Sequence, residues 1–134
     1  MEQIRNITMG PNDQLRQVAE QLVKGCREGK ERENLDKLYA EDATSVEAYA
    51  GPEMGREVQG LKAIHQKHDW WESTMEELES STTGPFYHGD DRFSVLFNAK
   101  AKNKDTGEVM DMQETATYHV KDGKIVREEF FYAM

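Results

Sequence analysis

The run LYAEDATSVEAY, residues 38–49, decides how the rest of the chain is arranged. Apolar residues at helical spacing lead into this run and predict a short helix over residues 32–39. Alternation of side chains from Thr44 onward predicts a strand over residues 44–49. Within that strand Glu47 lies on the same face as Tyr49, so the pattern turns an acidic side chain toward the interior.

Two further helices are predicted on either side of this run. The first follows Pro11, is capped by Asn12 or Asp13 and ends near Gly29, because apolar residues recur between these points at helical spacing. The other spans residues 60–73. Its apolar face is predicted to carry Leu61, Ile64, His65, His68 and Trp71. The residues expected to point outward are Lys62, Lys67 and Asp69.

The remainder of the chain has the period of two that is typical of strands. A weak, polar strand is predicted over residues 75–83 and ends at the break Gly84-Pro85. Further strands are predicted over residues 92–102, 108–120 and 124–133, joined by the turn sequences DTG (105–107) and DG (122–123), the latter indicating a type I′ turn. Helices followed by an antiparallel meander indicate an α+β fold with helices on one face of a curved sheet.

Length, charge and cysteine content limit the classes of protein to which the chain can belong. Its 134 residues predict one domain over residues 13–134, preceded by a flexible arm over residues 1–12. The formal net charge of −9 would repel phosphate backbones, so no nucleic-acid partner is expected. No apolar run reaches the roughly 18 residues of a membrane span. Cys26 is the single cysteine, and its thiol is predicted to be buried and inert. Because a single cysteine suits a reducing compartment, we expect a cytoplasmic protein.

Acidic residues interrupt the apolar faces of the last two strands. Glu114 lies in line with Met112 and Ala116, and Glu128 lies in line with Val126 and Phe130. An ionised carboxylate buried without a partner costs several kcal/mol, so full enclosure by accident is rare. A water-containing pocket in which a carboxyl group acts as a general base would explain these placements together. The alternatives are a wet sheet face, or pairing of these acids with the arginines at positions 92 and 127.

Two histidines on the third helix lie three positions apart. His65 and His68 are compatible with a metal site, for which Glu72 would be the third ligand. No zinc-protease motif accompanies them, so we predict no metal and expect His68 to face the pocket as a hydrogen-bonding group. Trp71 continues the apolar stripe and is predicted to be either core or pocket wall.

The order of elements, the run at residues 38–44 and the final segment DGKIVREEFFY, residues 122–132, together resemble the nuclear-transport-factor-two-like superfamily. That superfamily includes the ketosteroid isomerases and the SnoaL-like polyketide cyclases. The resemblance covers about residues 13–133. It implies a conical α+β half-barrel, in which three N-terminal helices pack on a strongly curved, mainly antiparallel sheet around a deep apolar pocket. It also implies a homodimer formed through the outer face of the sheet.

The resemblance implies specific roles for several residues. The aspartate base of the isomerases corresponds here to Glu47, whereas the positions of their two oxyanion donors are apolar, at Leu22 or Val23 and at Ala116. A true steroid isomerase is therefore not expected. The predicted site consists of catalytic Glu47, Glu114, Tyr118 and His68, and ligand-binding Tyr49, Trp71, Met112, Glu128, Phe130 and Tyr132.

Two functions remain open on the sequence alone. The first is a cofactor-independent isomerase-like or cyclase-like enzyme that moves a proton next to the carbonyl of a small cyclic compound. The second is a non-catalytic protein that binds a small apolar ligand or serves as a dimeric partner module. A fold does not decide between them, because function belongs to the site.

Overall fold

The computed structural model describes residues 11–51 and 55–133. Of the predicted arm over residues 1–12, residues 1–10 lie outside the described part, and Pro11 and Asn12 belong to the first helix. None of the three described helices has the length and apolarity needed to cross a bilayer. The elements in chain order are α1 (Pro11–Glu28), α2 (Glu31–Leu38), β1 (Tyr39–Val46), β2 (Glu57–Gln59), α3 (Leu61–Thr74), β3 (Met75–His88), β4 (Arg92–Asn103), β5 (Val109–Lys121) and β6 (Lys124–Phe131).

The strands form one mixed sheet that does not close on itself. Its order is β2-β1-β6-β5-β4-β3, with β1 and β6 parallel and the other neighbouring pairs antiparallel. Apolar residues of α1 such as Leu15 and Leu22 share one core with Phe93 and Val95 of β4. The predicted α+β fold, with helices packed on one face of a mainly antiparallel sheet, is confirmed.

The run at residues 38–49 folds differently from the prediction in two respects. β1 begins at Tyr39, not at Thr44, because the backbone is already extended at Tyr39 while its N–H still bonds to the carbonyl of Leu35. Tyr39 pairs with Ile125 of the parallel strand β6, and the pairing becomes irregular before Thr44. β1 ends at Val46, and the short strand β2, which was not predicted, pairs with it.

The predicted strand break at Gly84-Pro85 is wrong. β3 continues to His88, and its pairing with β4 shifts register between Thr83 and Phe86 before it resumes. An irregularity of this kind accommodates a proline, which cannot donate a ladder hydrogen bond.

The predicted type I′ turn between β5 and β6 is confirmed. Asp122 and Gly123 have φ values of 52° and 77°, as both central positions of that turn require. An irregularity follows in the pairing of β5 with β6, and Ile125 and Glu128 are consequently both buried. Glu128 therefore does not share its buried face with Val126, contrary to the simple alternation expected from the sequence.

A glycine allows α2 to pack closely on α1. A Cβ atom at Gly25 would collide with the side-chain amide of Asn34, which donates a hydrogen bond of 3.2 Å to the carbonyl of Gln21. Asn34 and Leu35 of α2 line one wall of the cavity described next. The glycine thus helps to position a wall of that cavity.

Candidate active site

A cavity of about 240 Å³ lies between the described helices and the inner face of the sheet. Its walls are largely apolar and aromatic, interrupted by carboxyl groups. Seven of the ten predicted site residues line it, namely His68, Trp71, Met112, Glu114, Tyr118, Glu128 and Phe130. The other three, Glu47, Tyr49 and Tyr132, form a neighbouring group outside the lining.

Glu114 is a largely buried carboxyl group on the inner face of β5, paired across the ladder with Phe97 of β4. Within the described part of the chain it has no hydrogen-bond or ion-pair partner. Burial is the largest cause that raises the pKa of Glu114 from its ordinary 4.5 to about 7. The charges of Glu47 and Glu128 act in the same direction, and that of Lys67 opposes them.

Glu128 of β6 is only 3% exposed but is held by two hydroxyl groups. The hydroxyl of Tyr39 donates to Oε1, and Oγ of Ser45 donates to Oε2 over 2.6 Å. Burial raises the pKa of Glu128, while the hydrogen bonds from Ser45 and Tyr39 oppose that rise. Hydroxyl donors thus replace the arginine partner that was one alternative for this residue.

The two arginines considered as partners for these acids bond elsewhere. Nε of Arg92 lies 3.1 Å from Asp91. Arg127 lies 3.4 Å from Glu129 and 3.9 Å from Glu57. That alternative is therefore wrong.

Lys67 of α3 is a cation whose charge acts on both buried acids, Glu114 and Glu128. Its Nζ lies 2.5 Å from Oε2 of Glu47, 2.8 Å from Oγ of Ser45 and 5.3 Å from the centre of the Phe130 ring. The prediction that Lys67 points away from the apolar face is wrong. It follows Ile64 by three residues and precedes Trp71 by four, so it lies on the same helix face, and its long stem carries the ammonium group inward.

Glu47 links Lys67 to a pair of aromatic residues outside the cavity lining, Tyr132 and Tyr49. The hydroxyl of Tyr132 donates to Oε1 of Glu47 over 2.9 Å, and the Tyr132 and Tyr49 rings are 5.9 Å apart between centres. Burial and the charge of Glu47 raise the pKa of Tyr132, so its hydroxyl stays protonated. The result is a continuous hydrogen-bond chain, which runs through Tyr132, Glu47, Lys67, Ser45, Glu128 and Tyr39.

The two histidines of α3 have different surroundings. His65 lies 3.0 Å from a carboxylate oxygen of Asp36, outside the cavity, whereas His68 lines the cavity beside Trp71. Burial, aided by the charge of Arg32, lowers the pKa of His68 to about 4, so its ring is neutral at pH 7. Glu72 bonds to Arg32, and the described residues contain no cluster of three or more His, Cys, Asp or Glu side chains suited to a metal ion.

Tyr118 brings a hydroxyl group to the cavity from β5. The residue is 3% exposed, and its ring stacks on Phe93 with centres 4.9 Å apart. Burial and the charge of Glu128 raise the pKa of Tyr118 well above 10, so the hydroxyl remains a donor. Within the described chain this hydroxyl has no hydrogen-bond partner.

Three residues of the hydrogen-bond chain, Tyr39, Ser45 and Lys67, were not predicted as site residues. The sequence did carry a signal for Lys67, since the positions three before and four after it are apolar. No local sequence pattern identifies Tyr39, whose hydroxyl bonds to Glu128, 89 positions later in the chain. The acid on an apolar face indicated that donors were needed, but not which residues would supply them.

Comparison with known proteins agrees with this architecture. The family model for the SnoaL-like domain matches residues 14–132. A crystal structure from Mesorhizobium loti, provisionally named a SnoaL-like polyketide cyclase, is 33% identical, covers 88% of this chain and 98% of its own, and has a TM-score of 0.82. None of the curated proteins matches the chain.

More distant structures share the fold. A protein from Jannaschia sp. CCS1, also provisionally named a SnoaL-like polyketide cyclase, is 14% identical over 89% of this chain and 85% of its own, with a TM-score of 0.68. A Catenulispora acidiphila protein with a ketosteroid isomerase-like fold, solved with trimethylamine, is 16% identical over 75% and 74%, with a TM-score of 0.63. With a family model that matches nearly its whole length, the chain belongs to the SnoaL-like domain family.

Proposed function

We propose that the protein catalyses proton transfer at a carbon next to the carbonyl group of a small cyclic compound, with Glu114 as the base. One observation carries this proposal. Glu114 is a largely buried carboxyl group in an apolar cavity, without a partner in the described chain, and its pKa is raised to about 7. A base with a pKa near the working pH combines a substantial ionised fraction with a strong tendency to take a proton.

The surroundings of the other two acids make them weaker candidates for the base. Glu128 already accepts hydrogen bonds from Tyr39 and Ser45. Glu47 is bonded to Lys67 and Tyr132 and lies outside the cavity lining. A carboxylate that already accepts such bonds must lose them, or weaken them, as it takes up a proton.

In the proposed reaction the ionised carboxylate of Glu114 removes the proton, and the electron pair of the broken C–H bond forms the C=C bond of an enolate. The negative charge that develops on the carbonyl oxygen needs a donor. The hydroxyl of Tyr118 and a ring N–H of neutral His68 both face the cavity and can supply one. Donors fixed in advance around a dry site typically contribute about 3 kcal/mol each to lowering the barrier.

The enolate then has two outcomes. Return of the proton from Glu114 to a different carbon gives an isomer. Attack of the enolate carbon on a second carbonyl of the same molecule closes a ring, and the proton on Glu114 passes to the new alkoxide. In either case Trp71, Met112 and Phe130 would hold the apolar part of the compound, and no cofactor is needed.

Deuterium exchange tests the proposal without knowledge of the natural substrate. Cyclic ketones and diketones are incubated in D₂O at neutral pD with the wild-type protein, and loss of the α-proton signal is followed by NMR. We expect Glu114→Gln to slow the exchange by about 100-fold or more, as loss of a general base does, with ligand affinity retained. Glu108→Gln, an exposed glutamate in the β4–β5 connection, is the matched control. If Glu114→Gln exchanges as fast as wild type, the proposed reaction is wrong and the binding-protein alternative is favoured.

We also propose that the outer face of the sheet forms a homodimer. Leu96 of β4 pairs with Thr115 of β5, which pairs with Phe131 of β6, so the three side chains form a row on the face opposite the cavity. Leu96 and Phe131 are 36% and 50% exposed. We expect Leu96→Lys to shift sedimentation toward a monomer, whereas Met110→Lys, at an exposed apolar residue on the opposite face of β5, should not. Equal sedimentation of both variants and wild type would contradict the proposal.

A further inference from the structure

The described residues that line the cavity have a strongly one-sided charge. Four of them are acidic, Glu31, Glu77, Glu114 and Glu128, and none is lysine or arginine. His68, the histidine of the lining, is neutral at pH 7 because burial lowers its pKa. These walls therefore offer no basic side chain to an anionic compound, whereas their ionised carboxylates would attract a cation.

The basic side chains close to the cavity are engaged elsewhere. Lys67 bonds to Glu47, and Arg32 lies 2.9 Å from Asp69. Arg27 donates to the backbone carbonyl of Thr82 over 2.9 Å. The charge of Lys67 lowers the pKa values of Glu114 and Glu128, but burial outweighs it and both pKa values stay raised.

The cavity walls between the acids are aromatic, and one of the aromatic residues, Tyr118, carries a hydroxyl group without a partner among the described residues. The rings of Trp71, Phe97, Tyr118 and Phe130 line the cavity, and such rings attract a cation placed over their faces. The hydroxyl of Tyr118, in a residue that is 3% exposed, has no hydrogen-bond partner in the described chain. Because this hydroxyl is open to the cavity, a polar group of a bound compound can pair with it.

We propose that the compound held in this cavity carries an ammonium group, protonated or quaternary, which the lining carboxylates and aromatic rings bind. This inference rests on the proposed function only in placing the ligand in the same cavity. It narrows the substrate class from cyclic carbonyl compounds in general to those that bear an amine. The ammonium group would lie within reach of Glu114 and Glu128, and the carbonyl oxygen would accept from Tyr118.

A cation in the cavity would also act on the proposed base. The charges of Glu47 and Glu128 oppose ionisation of Glu114 and that of Lys67 favours it, and an ammonium group beside them would add to the effect of Lys67. Binding should therefore favour the ionised form of Glu114 and release a proton below neutral pH. By linkage, the affinity for the cation should rise as the pH increases through the pKa of Glu114.

The test compares choline with 3,3-dimethylbutan-1-ol, which has the same shape but a carbon in place of the charged nitrogen. Calorimetric titration at pH 8 should give an affinity for choline at least about tenfold higher. Glu114→Gln should remove most of that preference, Glu108→Gln should leave it unchanged, and wild type should bind choline more weakly at pH 5.5. No choline binding, or equal affinity for the two probes, overturns the inference.

This outcome can be separated from that of the proposed reaction. A clear preference for choline, together with deuterium exchange that is unchanged in Glu114→Gln, would refute the reaction and leave the ligand class standing. Rapid exchange on neutral cyclic ketones that depends on Glu114, without a preference for choline, would refute the ligand class and leave the reaction standing.

Discussion

Replacing Lys67 by methionine should destabilise the protein, because Glu47 and Glu128 lose the positive charge of Lys67. Lys67 is the cation of the hydrogen-bond chain and contacts both Glu47 and Ser45. Methionine keeps much of the apolar stem but removes the charge and the donors. Glu47 then keeps only its side-chain bond from Tyr132, and Glu128 loses a nearby positive charge.

The magnitude follows from how far the pair is buried. Breaking a fully buried ion pair costs about 3–5 kcal/mol, whereas an exposed pair contributes about 0–1 kcal/mol. The side chains of Lys67 and Glu47 are 15% and 28% exposed, which places this pair between the two cases. We therefore expect a loss of about 2 kcal/mol at pH 7, equivalent to a fall of about 8 °C in Tm for a domain of this size.

Urea unfolding followed by circular dichroism measures this loss, and Lys62→Met is the matched control. Lys62 lies on the exposed side of the same helix, so its replacement should change stability by less than about 0.5 kcal/mol. The cost of Lys67→Met should shrink at pH 4.5, because burial raises the pKa values of Glu114 and Glu128 and these carboxyl groups, once protonated, no longer gain from the ammonium group. Equal losses for the two variants, or a cost that does not depend on pH, would refute the reasoning.

Three further predictions follow from the buried titratable groups. Because the pKa of Glu114 is about 7 in the folded protein, wild type should lose stability as the pH rises from about 4.5 to 7. In urea unfolding, Glu114→Gln should be more stable than wild type by up to about 3 kcal/mol at pH 8, but no more stable at pH 4. The pKa of His68 is lowered to about 4, so wild type should lose stability as the pH falls from about 6.5 through 4, and this slope should be absent in His68→Asn. Burial raises the pKa of the Cys26 thiol to about 12, so dithionitrobenzoate should react slowly at pH 8 until urea unfolds the chain; rapid labelling of the folded protein would show that the thiol is not buried.

The helices and the meander could be predicted because their signals are local. Period-two alternation located β4 and β5 to within one residue at each end, and the DG pair located the turn that joins β5 to β6. The early start of β1 at Tyr39 could not be seen in the same way. Its extended backbone is paired with a parallel strand more than 80 residues further along the chain, and no local pattern records that partner.

The candidate site, too, could be predicted only where the signal is local. Acids on apolar faces predicted that Glu114 and Glu128 would lie in a pocket, and both line the cavity. What each acid contacts depends on tertiary packing that the strand pattern does not contain. Glu47 bonds to Lys67 and lies outside the lining, whereas Glu114 lines the cavity and has no partner among the described residues.

The most direct test of the central claim is a titration of the glutamate carboxyl carbons by ¹³C NMR. Wild-type protein is compared with Glu114→Gln between pH 4 and 9. We predict one carboxyl resonance with a pKa of about 7 that is missing from the variant, as expected for a buried, unpartnered base. If every glutamate resonance of wild type titrates below about pH 5, as exposed carboxyl groups do, Glu114 is not the poised base that the proposed reaction requires.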